Sequence, residues 1–526
     1  MKLDPVIESL LDTDLYKFNM NQVMFHTHTD LIGEYHFKCR NKGVVFTREM
    51  FDEINSQIDH LCTLTFRPDE LAYLKSIRFI KPDYVEFLRL WHPIRDYVFT
   101  DLNETTGELI VKVNGPLFSA MQFEIYLLEI INEVYFRMTF KYDYSALLKS
   151  AKEKLDRKIR DFRNQKYTFR FAEFGCRRRL SREWQDVVVR RFAKETNNMV
   201  GTSNVYLAYK YNLTPIGTYA HEFVQMYQGI SKIPLAYTNY YAMKDWYHEY
   251  NGDNGTALTD TITTDLFLLD FDRSMANNFT GVRHDSGDPF IWGEKMIAHY
   301  QKYGIDPKTK TLLFSDSLDF DKAQKLYNYF NNRVKVSFGI GTFVSNDTMV
   351  DPLNIVIKLQ YVNGNPVAKL SDAEGKTMCA DPGYETYLRS SVDFRLNREG
   401  VPQAKKEPKW LYRLESTNPE NGLWYNSHGE FCWGINALPN CETKNLPMGY
   451  DARYQKDGRQ WFSSCSNPED LMHWFSVQDT LDLVAQGFEF ARYLATEYEE
   501  YPLETTFIKG SSIRREVMDI RELFKE

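Results

Sequence analysis

The sequence predicts an α/β protein built around a parallel sheet, and two observations support this fold class. Between residues 168 and 345, short apolar, β-rich runs alternate with amphipathic stretches of helical length. Strands that alternate with helices in this way form βα units, whose strands lie parallel. Glycine and polar residues also concentrate at the C-terminal end of each apolar run, where parallel sheets gather their binding and catalytic groups.

Five strands and three helices are predicted in this region. The predicted strands are TFRFAEFG (168–175), TPIGTYAHE (214–222), FTGVRHDSGD (279–288), TLLFSDSLD (311–319) and VKVSFGIGT (334–342). The predicted helices are SREWQDVVVRRFAKETNN (181–198), DPFIWGEKMIAHYQKYG (288–304) and DFDKAQKLYNYFNN (319–332). Together they define an α/β catalytic domain over residues 151–349.

The remaining sequence predicts a domain before this region and a domain after it. Residues 1–150 mix helix-like and strand-like stretches, and residues 350–395 are expected to complete that N-terminal α/β domain. Their alternating run 354–372 contains Asn-Gly, which favours a β-hairpin. Residues 396–408 are polar and lack apolar periodicity, so they are interpreted as a linker. Residues 409–526 hold 12 Lys and Arg against 19 Asp and Glu, which indicates a separate acidic α+β domain.

Composition narrows the classes of function. A net charge of −8 argues against general attraction to nucleic acid or anionic membranes. The sequence has no apolar run of about 18 residues and no signal-peptide pattern at its start. Its seven cysteines include no CxxC pair, which favours reduced thiols in the cytoplasm. A cytoplasmic protein acting on small molecules is expected, and the aromatic content of 15% suits stacking on flat ligands.

Two glycine-containing strand ends are candidate phosphate sites. In GIGT (339–342), successive backbone N–H groups can hold phosphate oxygens, although a tight turn without a ligand has the same sequence. In VRHDSGDP (282–289), the arginine can bind phosphate, and the aspartates suit ribose hydroxyls or Mg²⁺ held with substrate phosphates. An acidic turn that caps the following helix is the structural alternative.

Two further strand ends carry groups able to bind anions or to react. EFGCRRRLS (173–181) places three arginines together, which suits a polyphosphate or a carboxylate, or else a basic helix start in water. His221 can act as a base or as a nucleophile toward a phosphoryl group, or it can be a hydrogen-bonded structural residue. Glu222 either orients that imidazole or lies on a helix surface.

Seven segments occur in the order and at the approximate spacing of one enzyme family. They are LLDTDLYKFNM, EFGCRRRLS, GTSNVYLA, PIGTYAHEF, FTGVRHDSGDP, LLFSDSLD and FGIGT. Over residues 5–395 the chain therefore resembles nicotinate phosphoribosyltransferase. This resemblance implies an N-terminal α/β domain packed on an irregular type II phosphoribosyltransferase α/β barrel.

The resemblance also implies a reaction in NAD salvage. Nicotinate and 5-phosphoribosyl 1-diphosphate would give nicotinate mononucleotide and pyrophosphate, with Mg²⁺ as cofactor and ATP as co-substrate. ATP hydrolysis would be coupled through a phosphohistidine at His221, with Glu222 and Asp285 in catalytic roles. A homodimer with a shared active site is implied as well, because Tyr16 resembles the tyrosine that the neighbouring subunit supplies.

The resemblance assigns two groups of binding residues. The nicotinate group is Tyr16, Phe174, Arg177, Ser203 and Thr218. The ribosyl diphosphate group is Arg179, Arg283, Ser286, Gly287, Asp316, Ser317, Gly341 and Thr342. No metal ligand is assigned in the protein alone, and residues 409–526 carry no recognised catalytic signature.

Other functions remain as alternatives. A nicotinamide enzyme of the same fold is the nearest, but nicotinamide is neutral and the run Arg177-Arg178-Arg179 favours an acid. Quinolinate enzymes lack the phosphohistidine that the GTYAHE segment implies. A phosphate-binding aldolase or isomerase would need a lysine or paired carboxylates at strand ends, and no predicted strand end offers a lysine. A binding or regulatory protein that acts through its acidic tail is a third class.

Overall fold

The computed structural model describes residues 3–372, 377–400, 409–416, 461–495, 497–501, 504–507, 512–519 and 521. The chain divides into two compact units, Met1–Val401 and Pro402–Glu526. This division falls within the predicted linker, whose first residues belong to the helix Pro382–Arg398. Residues 1–150 and 151–349 belong to the same unit.

The first unit holds seventeen helices and twelve strands among its described residues. The helices are α1 (Leu15–Thr27), α2 (Arg48–Leu61), α3 (Pro68–Ser76), α4 (Pro82–Leu90), α5 (Leu117–Ala120), α6 (Phe123–Thr139), α7 (Tyr144–Arg163), α8 (Arg182–Glu195), α9 (Val205–Tyr211), α10 (His221–Met226), α11 (Thr238–Tyr250), α12 (Thr264–Asp270), α13 (Arg273–Asn278), α14 (Pro289–Lys302), α15 (Phe320–Phe330), α16 (Thr342–Ser345) and α17 (Pro382–Arg398). The strands are β1 (Ile32–Cys39), β2 (Val98–Asn103), β3 (Glu108–Pro116), β4 (Phe171–Glu173), β5 (Met199–Thr202), β6 (Thr214–Pro215), β7 (Thr256–Leu258), β8 (Gly281–His284), β9 (Thr311–Phe314), β10 (Lys335–Ile340), β11 (Ile355–Val362) and β12 (Asn365–Pro366).

A seven-stranded parallel sheet confirms the predicted fold class. Its strand order is β6-β5-β4-β10-β9-β8-β7. Among the described strands, the two edge strands β6 and β7 do not pair with each other, so the sheet stays open. The sheet is therefore a curled half-barrel that brings the C-terminal ends of its strands to one side. All five predicted strands occur in it. The sequence prediction omitted β5 and β7, whereas β4 and β6, which are as short, lie within the longer predicted runs 168–175 and 214–222.

The three predicted helices of this region are confirmed, and capping residues set where they start. The side chains of Ser181, Asp288 and Asp319 accept backbone N–H bonds at the starts of α8, α14 and α15. Such bonds satisfy donors that the first helical turn leaves unpaired. The capping interpretation of Asp288 is thus correct.

A five-stranded antiparallel sheet forms the N-terminal part of the unit. Its order is β12-β11-β1-β3-β2, so β11 and β12 complete the sheet that β1–β3 begin. The predicted hairpin joins β11 to β12 through Asn363 and Gly364, both with positive φ. This is the turn geometry that an Asn-Gly pair favours. One continuous hydrophobic core spans both sheets.

The second unit is described for about half its length. Strands β13 (Lys409–Ser416), β15 (Phe488–Ala495) and β18 (Ser512–Val517) form one antiparallel sheet, and β14 (Phe462–Ser464), β17 (Glu504–Phe507) and β16 (Tyr498–Tyr501) form another. Helices α18 (Pro468–Trp474) and α19 (Val477–Ala485) lie between β14 and β15 in sequence. Of the helices that the structure describes, none has the length and apolar character to cross a membrane.

Candidate active site

A cavity of about 940 Å³ lies in the first unit, where the strands of the parallel sheet end. It is lined by most of the residues that the sequence predicted: Tyr16, Phe174, Arg177, Ser203, Thr218, His221, Arg283, Asp285, Asp316, Ser317, Gly341 and Thr342. Four predicted residues do not line it: Arg179, Glu222, Ser286 and Gly287. The predicted strand ends therefore converge, as parallel topology requires.

His221 is the first residue of α10 and lies among acidic groups. Its Nε2 atom is 3.1 Å from Oδ1 of Asp260 and 3.5 Å from Oδ2 of Asp285. Lys369 completes the group, since its Nζ atom is 3.1 Å from Oδ2 of Asp260 and 3.9 Å from Oδ2 of Asp285. We call these four residues the histidine end of the cavity.

The histidine end keeps the imidazole neutral. Burial and the Lys369 ammonium lower the pKa of His221 to about 4, against the opposing effect of Asp260. Although burial raises the pKa of Asp285, Arg283 and the other neighbouring groups together hold that pKa below its usual value. At neutral pH this end therefore presents an uncharged imidazole beside ionised carboxylates.

The sequence missed Asp260 and Lys369. Asp260 follows β7, and this three-residue strand carried no signal from which a strand end could be predicted. Lys369 lies beyond β12, in the run 354–372, which the sequence predicted only as a hairpin and not as part of a site. The Ser286 hydroxyl donates a hydrogen bond to Asp260 and accepts one from the Ser371 hydroxyl, so it supports the aspartate from outside the cavity.

Arg177 also lines the cavity, with its own group of neighbours. Its side chain is 39% exposed, and among the described residues it forms one ion pair, Nη1 to Oε1 of Glu124 at 3.7 Å. Burial and the Glu124 carboxylate raise the pKa of the Tyr16 phenol well above its usual value, and the Arg177 guanidinium opposes this rise. We call Asp14, Tyr16, Glu124, Phe174 and Arg177 the pyridine end.

The Phe174 ring is held beside the glycine turn that follows β10. A Cβ atom on Gly339 would come within 2.2 Å of Phe174 Cδ2, and one on Gly341 within 2.9 Å of the Phe174 carbonyl oxygen. Only glycine permits this approach without displacing the ring or the backbone. The two predicted strand ends, FGIGT and EFG, therefore meet in one wall of the cavity.

Several buried polar atoms at this wall have unused hydrogen-bonding capacity within the described chain. The Thr218 hydroxyl is buried without a hydrogen bond, and the Ser203 hydroxyl and one Asp14 carboxylate oxygen are buried with no partner beyond each other. Burial raises the pKa of Asp14 to about 6, against the opposing effects of Ser203 and Arg177. Buried polar groups normally find partners, so these atoms are suited to a polar ligand.

The candidate phosphate turns also line the cavity. Asp316 and Ser317 follow β9, and Ser317 donates to Asp316 Oδ1 at 3.1 Å from a backbone with φ of 48°. Gly341 and Thr342 begin the short helix α16. On the neighbouring strand, Arg283 donates to the carbonyl oxygen of Tyr219 at 3.1 Å.

The structure does not bring Arg179 to the cavity, which corrects its predicted role. Its side chain is 1% exposed, and its guanidinium pairs with Asp12 at 2.7 Å and Glu129 at 3.3 Å. Arg177 lies within the 3₁₀ turn Cys176–Arg178, whereas Arg179 follows that turn. Arg179 is a structural residue that neutralises buried carboxylates.

Glu222 is also turned away from the imidazole. Neighbouring helical residues point about 100° apart, so Glu222 cannot follow His221 into the cavity. It accepts a hydrogen bond from Tyr35 at 2.6 Å and pairs with Lys17 instead. The residue that contacts the imidazole is Asp260. Gly287, with φ of 82°, shapes the turn before α14.

Tyr16 lies on the cavity of its own chain. Its position follows from the start of α1, where Leu15 N donates to the carbonyl oxygen of Ser203 at 2.8 Å. The active site shared between two subunits stays a prediction from the resemblance.

The histidine end holds three groups that could ligate Mg²⁺. One ligand atom each of His221, Asp260 and Asp285 lies within 4.8 Å of the others. Asp260, however, already binds His221, Ser286 and Lys369. Asp285 is the more exposed aspartate, with 28% of its side chain accessible, and carboxylate oxygen suits Mg²⁺ shared with phosphates.

Comparison with known proteins identifies the family. The model of the nicotinate phosphoribosyltransferase family matches residues 169–395, and the model of its N-terminal domain matches residues 11–132. The chain belongs to the nicotinate phosphoribosyltransferase family. Both matches lie within the first compact unit.

Curated relatives and solved structures agree. The nicotinate phosphoribosyltransferase of Chromobacterium violaceum is 47% identical over 74% of this chain and 97% of its own length. The nicotinate phosphoribosyltransferase of Acinetobacter baylyi is 46% identical over 74% of this chain and 97% of its own length. The Vibrio cholerae crystal structure has a TM-score of 0.70 at 36% identity, covering 76% of this chain and 99% of its own. The crystal structure of the nicotinate phosphoribosyltransferase of Porphyromonas gingivalis has a TM-score of 0.67 at 34% identity. The match covers 74% of this chain and 100% of that chain.

Proposed function

We propose that this nicotinate phosphoribosyltransferase joins nicotinate to 5-phosphoribosyl 1-diphosphate and couples the transfer to ATP hydrolysis through His221. The observation that carries the proposal is the cavity itself, which holds a partly exposed Arg177 at one end and a neutral His221 at the other. An arginine suits the substrate carboxylate, and a neutral imidazole is the form that accepts a phosphoryl group.

Nicotinate would bind at the pyridine end. Phe174 and Tyr16 offer aromatic faces to the ring, and Arg177 offers its guanidinium to the carboxylate. The buried hydroxyls of Ser203 and Thr218 add hydrogen-bonding capacity. Nicotinamide is the alternative substrate, but it would leave Arg177 with only its loose pair to Glu124.

The ribosyl diphosphate would lie across Arg283, Asp285 and the turns at Asp316–Ser317 and Gly341–Thr342. In the transfer, the pyridine nitrogen forms a bond to the anomeric carbon, and the bond from that carbon to the diphosphate oxygen breaks. The diphosphate leaves with the electron pair, so no proton has to be moved. Mg²⁺ held by Asp285 and the diphosphate would neutralise charge on the leaving group.

In the coupled step, an imidazole nitrogen of His221 would form a bond to the γ-phosphorus of ATP while ADP leaves. Water would later hydrolyse the phosphohistidine to phosphate and free imidazole. Asp260 would hold the ring orientation throughout, through its contact with Nε2. A role in NAD salvage, a cytoplasmic location and a homodimer remain predictions from the resemblance.

The test is mononucleotide formation from ribosyl diphosphate with nicotinate or with nicotinamide, each with and without ATP. We expect product from nicotinate, stimulated by ATP in the wild type and not in His221→Ala. Preference for nicotinamide would correct the substrate, and absence of product from both bases would refute the proposed activity.

A further inference from the structure

A continuous series of ion pairs runs beneath the cavity from Arg177 to the helix that begins with His221. Glu124 stands 3.7 Å from Arg177 through Oε1, and its Oε2 is 2.6 Å from Nζ of Lys17. The same ammonium pairs with Oε1 of Glu222, which directly follows His221. We call Arg177, Glu124, Lys17 and Glu222 the Lys17 chain.

The inner members of the Lys17 chain are almost fully buried. The side chain of Lys17 is 0% exposed, and those of Glu124 and Glu222 are 5% and 7% exposed. Burial lowers the pKa of Lys17, but the two carboxylates outweigh it and hold that pKa above its usual value. A buried charge is costly in free energy without its partner. When one residue of the Lys17 chain shifts, the residue paired with it is therefore expected to shift as well.

The far end of the Lys17 chain fixes the helix that carries the histidine. Oε2 of Glu222 accepts a hydrogen bond from the Tyr35 hydroxyl at 2.6 Å, so both carboxylate oxygens are held. His221, one residue earlier, contacts Asp260 on the cavity side. The first turn of α10 is therefore anchored from below by Glu222 and from the cavity by His221.

A ligand carboxylate at Arg177 would act on the near end of the Lys17 chain. It would compete with Glu124 for the guanidinium, since their present pair is loose at 3.7 Å. Glu124 would then depend more strongly on its remaining cations, Lys17 and Lys358. The Lys17 ammonium also pairs with Glu222. The charge of the ligand would thus reach the first turn of α10 through direct contacts.

We propose that Lys17 is a positioning residue that couples nicotinate binding at Arg177 to phosphorylation of His221. This inference rests on the proposed function and adds a route between its two ends. Contiguous contacts alone do not establish coupling, so the test must measure a coupling directly.

The measurement is the initial rate of phosphohistidine formation from γ-labelled ATP, with and without saturating nicotinate, on the full chain. In the wild type we expect the two rates to differ by about 5-fold or more, the lower range of typical couplings. Lys17→Met should bring the ratio of the rates close to one, and Lys17→Arg should preserve it. Glu124→Gln breaks the same route while keeping the side-chain shape, so it replaces Lys17→Met if that variant fails to fold.

A matched control separates coupling from stability. Arg395 forms another buried ion pair, with Asp270, on α17 and outside the cavity. Arg395→Met should lower the melting temperature but leave the ratio as in the wild type.

Three outcomes would overturn the inference. They are a wild-type ratio of one, an unchanged ratio in both Lys17→Met and Glu124→Gln, or the same change in Arg395→Met. If the wild type forms no phosphohistidine at all, the ATP part of the proposed function fails together with the inference. If it does and only the variants behave as wild type, the proposed function stands and the inference alone fails.

Discussion

The two ends of the cavity hold their charges in different ways. At the histidine end, His221 contacts Asp260 and Asp285, and Lys369 pairs with both carboxylates. At the pyridine end, Arg177 is 39% exposed and has one ion pair at 3.7 Å among the described residues. The first arrangement compensates its charges internally and leaves a neutral base, whereas the second leaves a cation available to an anionic ligand.

A neighbouring pair of arginines sharpens this comparison. Arg177 and Arg179 lie two residues apart in one motif, yet one faces the cavity and the other is 1% exposed among carboxylates. Charge alone therefore does not mark a binding residue. The availability of the charge to a ligand does.

The largest effect is expected on stability, from Arg179→Met. This substitution leaves Asp12 and Glu129 buried without their cation, and breaking such a pair costs about 3–5 kcal/mol in the free energy of unfolding. Denaturant unfolding of the variant measures it. A loss below about 1 kcal/mol, or a KM for ribosyl diphosphate that rises while stability is kept, would return Arg179 to a substrate-binding role.

Arg177→Met should act on substrate instead. Truncating one partner of a buried charge pair costs about 2–5 kcal/mol, so kcat/KM for nicotinate should fall on the order of 10²-fold. The value for nicotinamide should change much less, because that base carries no charge. Steady-state kinetics with nicotinate and with nicotinamide measure this difference. Equal losses of kcat/KM for the two bases would show that Arg177 does not bind the carboxylate.

Asp260→Asn tests the contact that orients the imidazole. Hydrogen bonds to charged groups contribute about 1.5–3 kcal/mol, so the rate of phosphohistidine formation should fall about 10- to 100-fold. Glu222→Gln is the comparison variant, because Glu222 is the neighbour that the sequence suggested for this role. A larger loss of the phosphorylation rate in Glu222→Gln than in Asp260→Asn would reverse the assignment.

The smallest effect is a shift in pH dependence. Because the pKa of His221 is lowered to about 4, phosphohistidine formation should stay level from neutral pH and decline only as the pH falls through about 4. Lys369→Met removes a cation that lowers this pKa, so the decline should move to higher pH. A pH profile of the initial rates of phosphohistidine formation, quenched with base, measures this shift. A decline near pH 6.5 in the wild type would contradict the lowered pKa.

The lowered pKa of His221 also affects stability. Because the folded-state pKa lies below the unfolded value, the contribution of His221 to stability is present above pH 6.5 and is lost as the pH falls toward 4.

Much of the sheet was predictable because its strand ends are dense in glycine and polar residues. The five predicted strands lie in runs that end in such residues, and the helices that follow three of them begin at capping residues. Strands β5 and β7 were not predicted, although they are as long as β4 and β6, and Asp260 was missed with β7.

The remaining site residues depend on contacts that no local pattern shows. Glu124 lies in the first turn of α6 and Lys17 in the first turn of α1, helices far apart in the chain, yet their side chains meet 2.6 Å apart. The directions of Arg177 and Arg179 are set by a three-residue 3₁₀ turn, which sequence cannot distinguish from a helix start. Glu222 was assigned to the imidazole only because it is the next residue, although helix geometry turns it away.

The central claim is that the neutral His221 at the histidine end accepts a phosphoryl group. The most direct measurement is incorporation of label from γ-labelled ATP into the wild-type chain and into His221→Ala, followed by acid treatment and peptide mapping. The account predicts acid-labile label on the peptide that contains His221 in the wild type and none in His221→Ala. Label that persists in His221→Ala, or a wild type that forms nicotinate mononucleotide with ATP stimulation but never carries label, would contradict it.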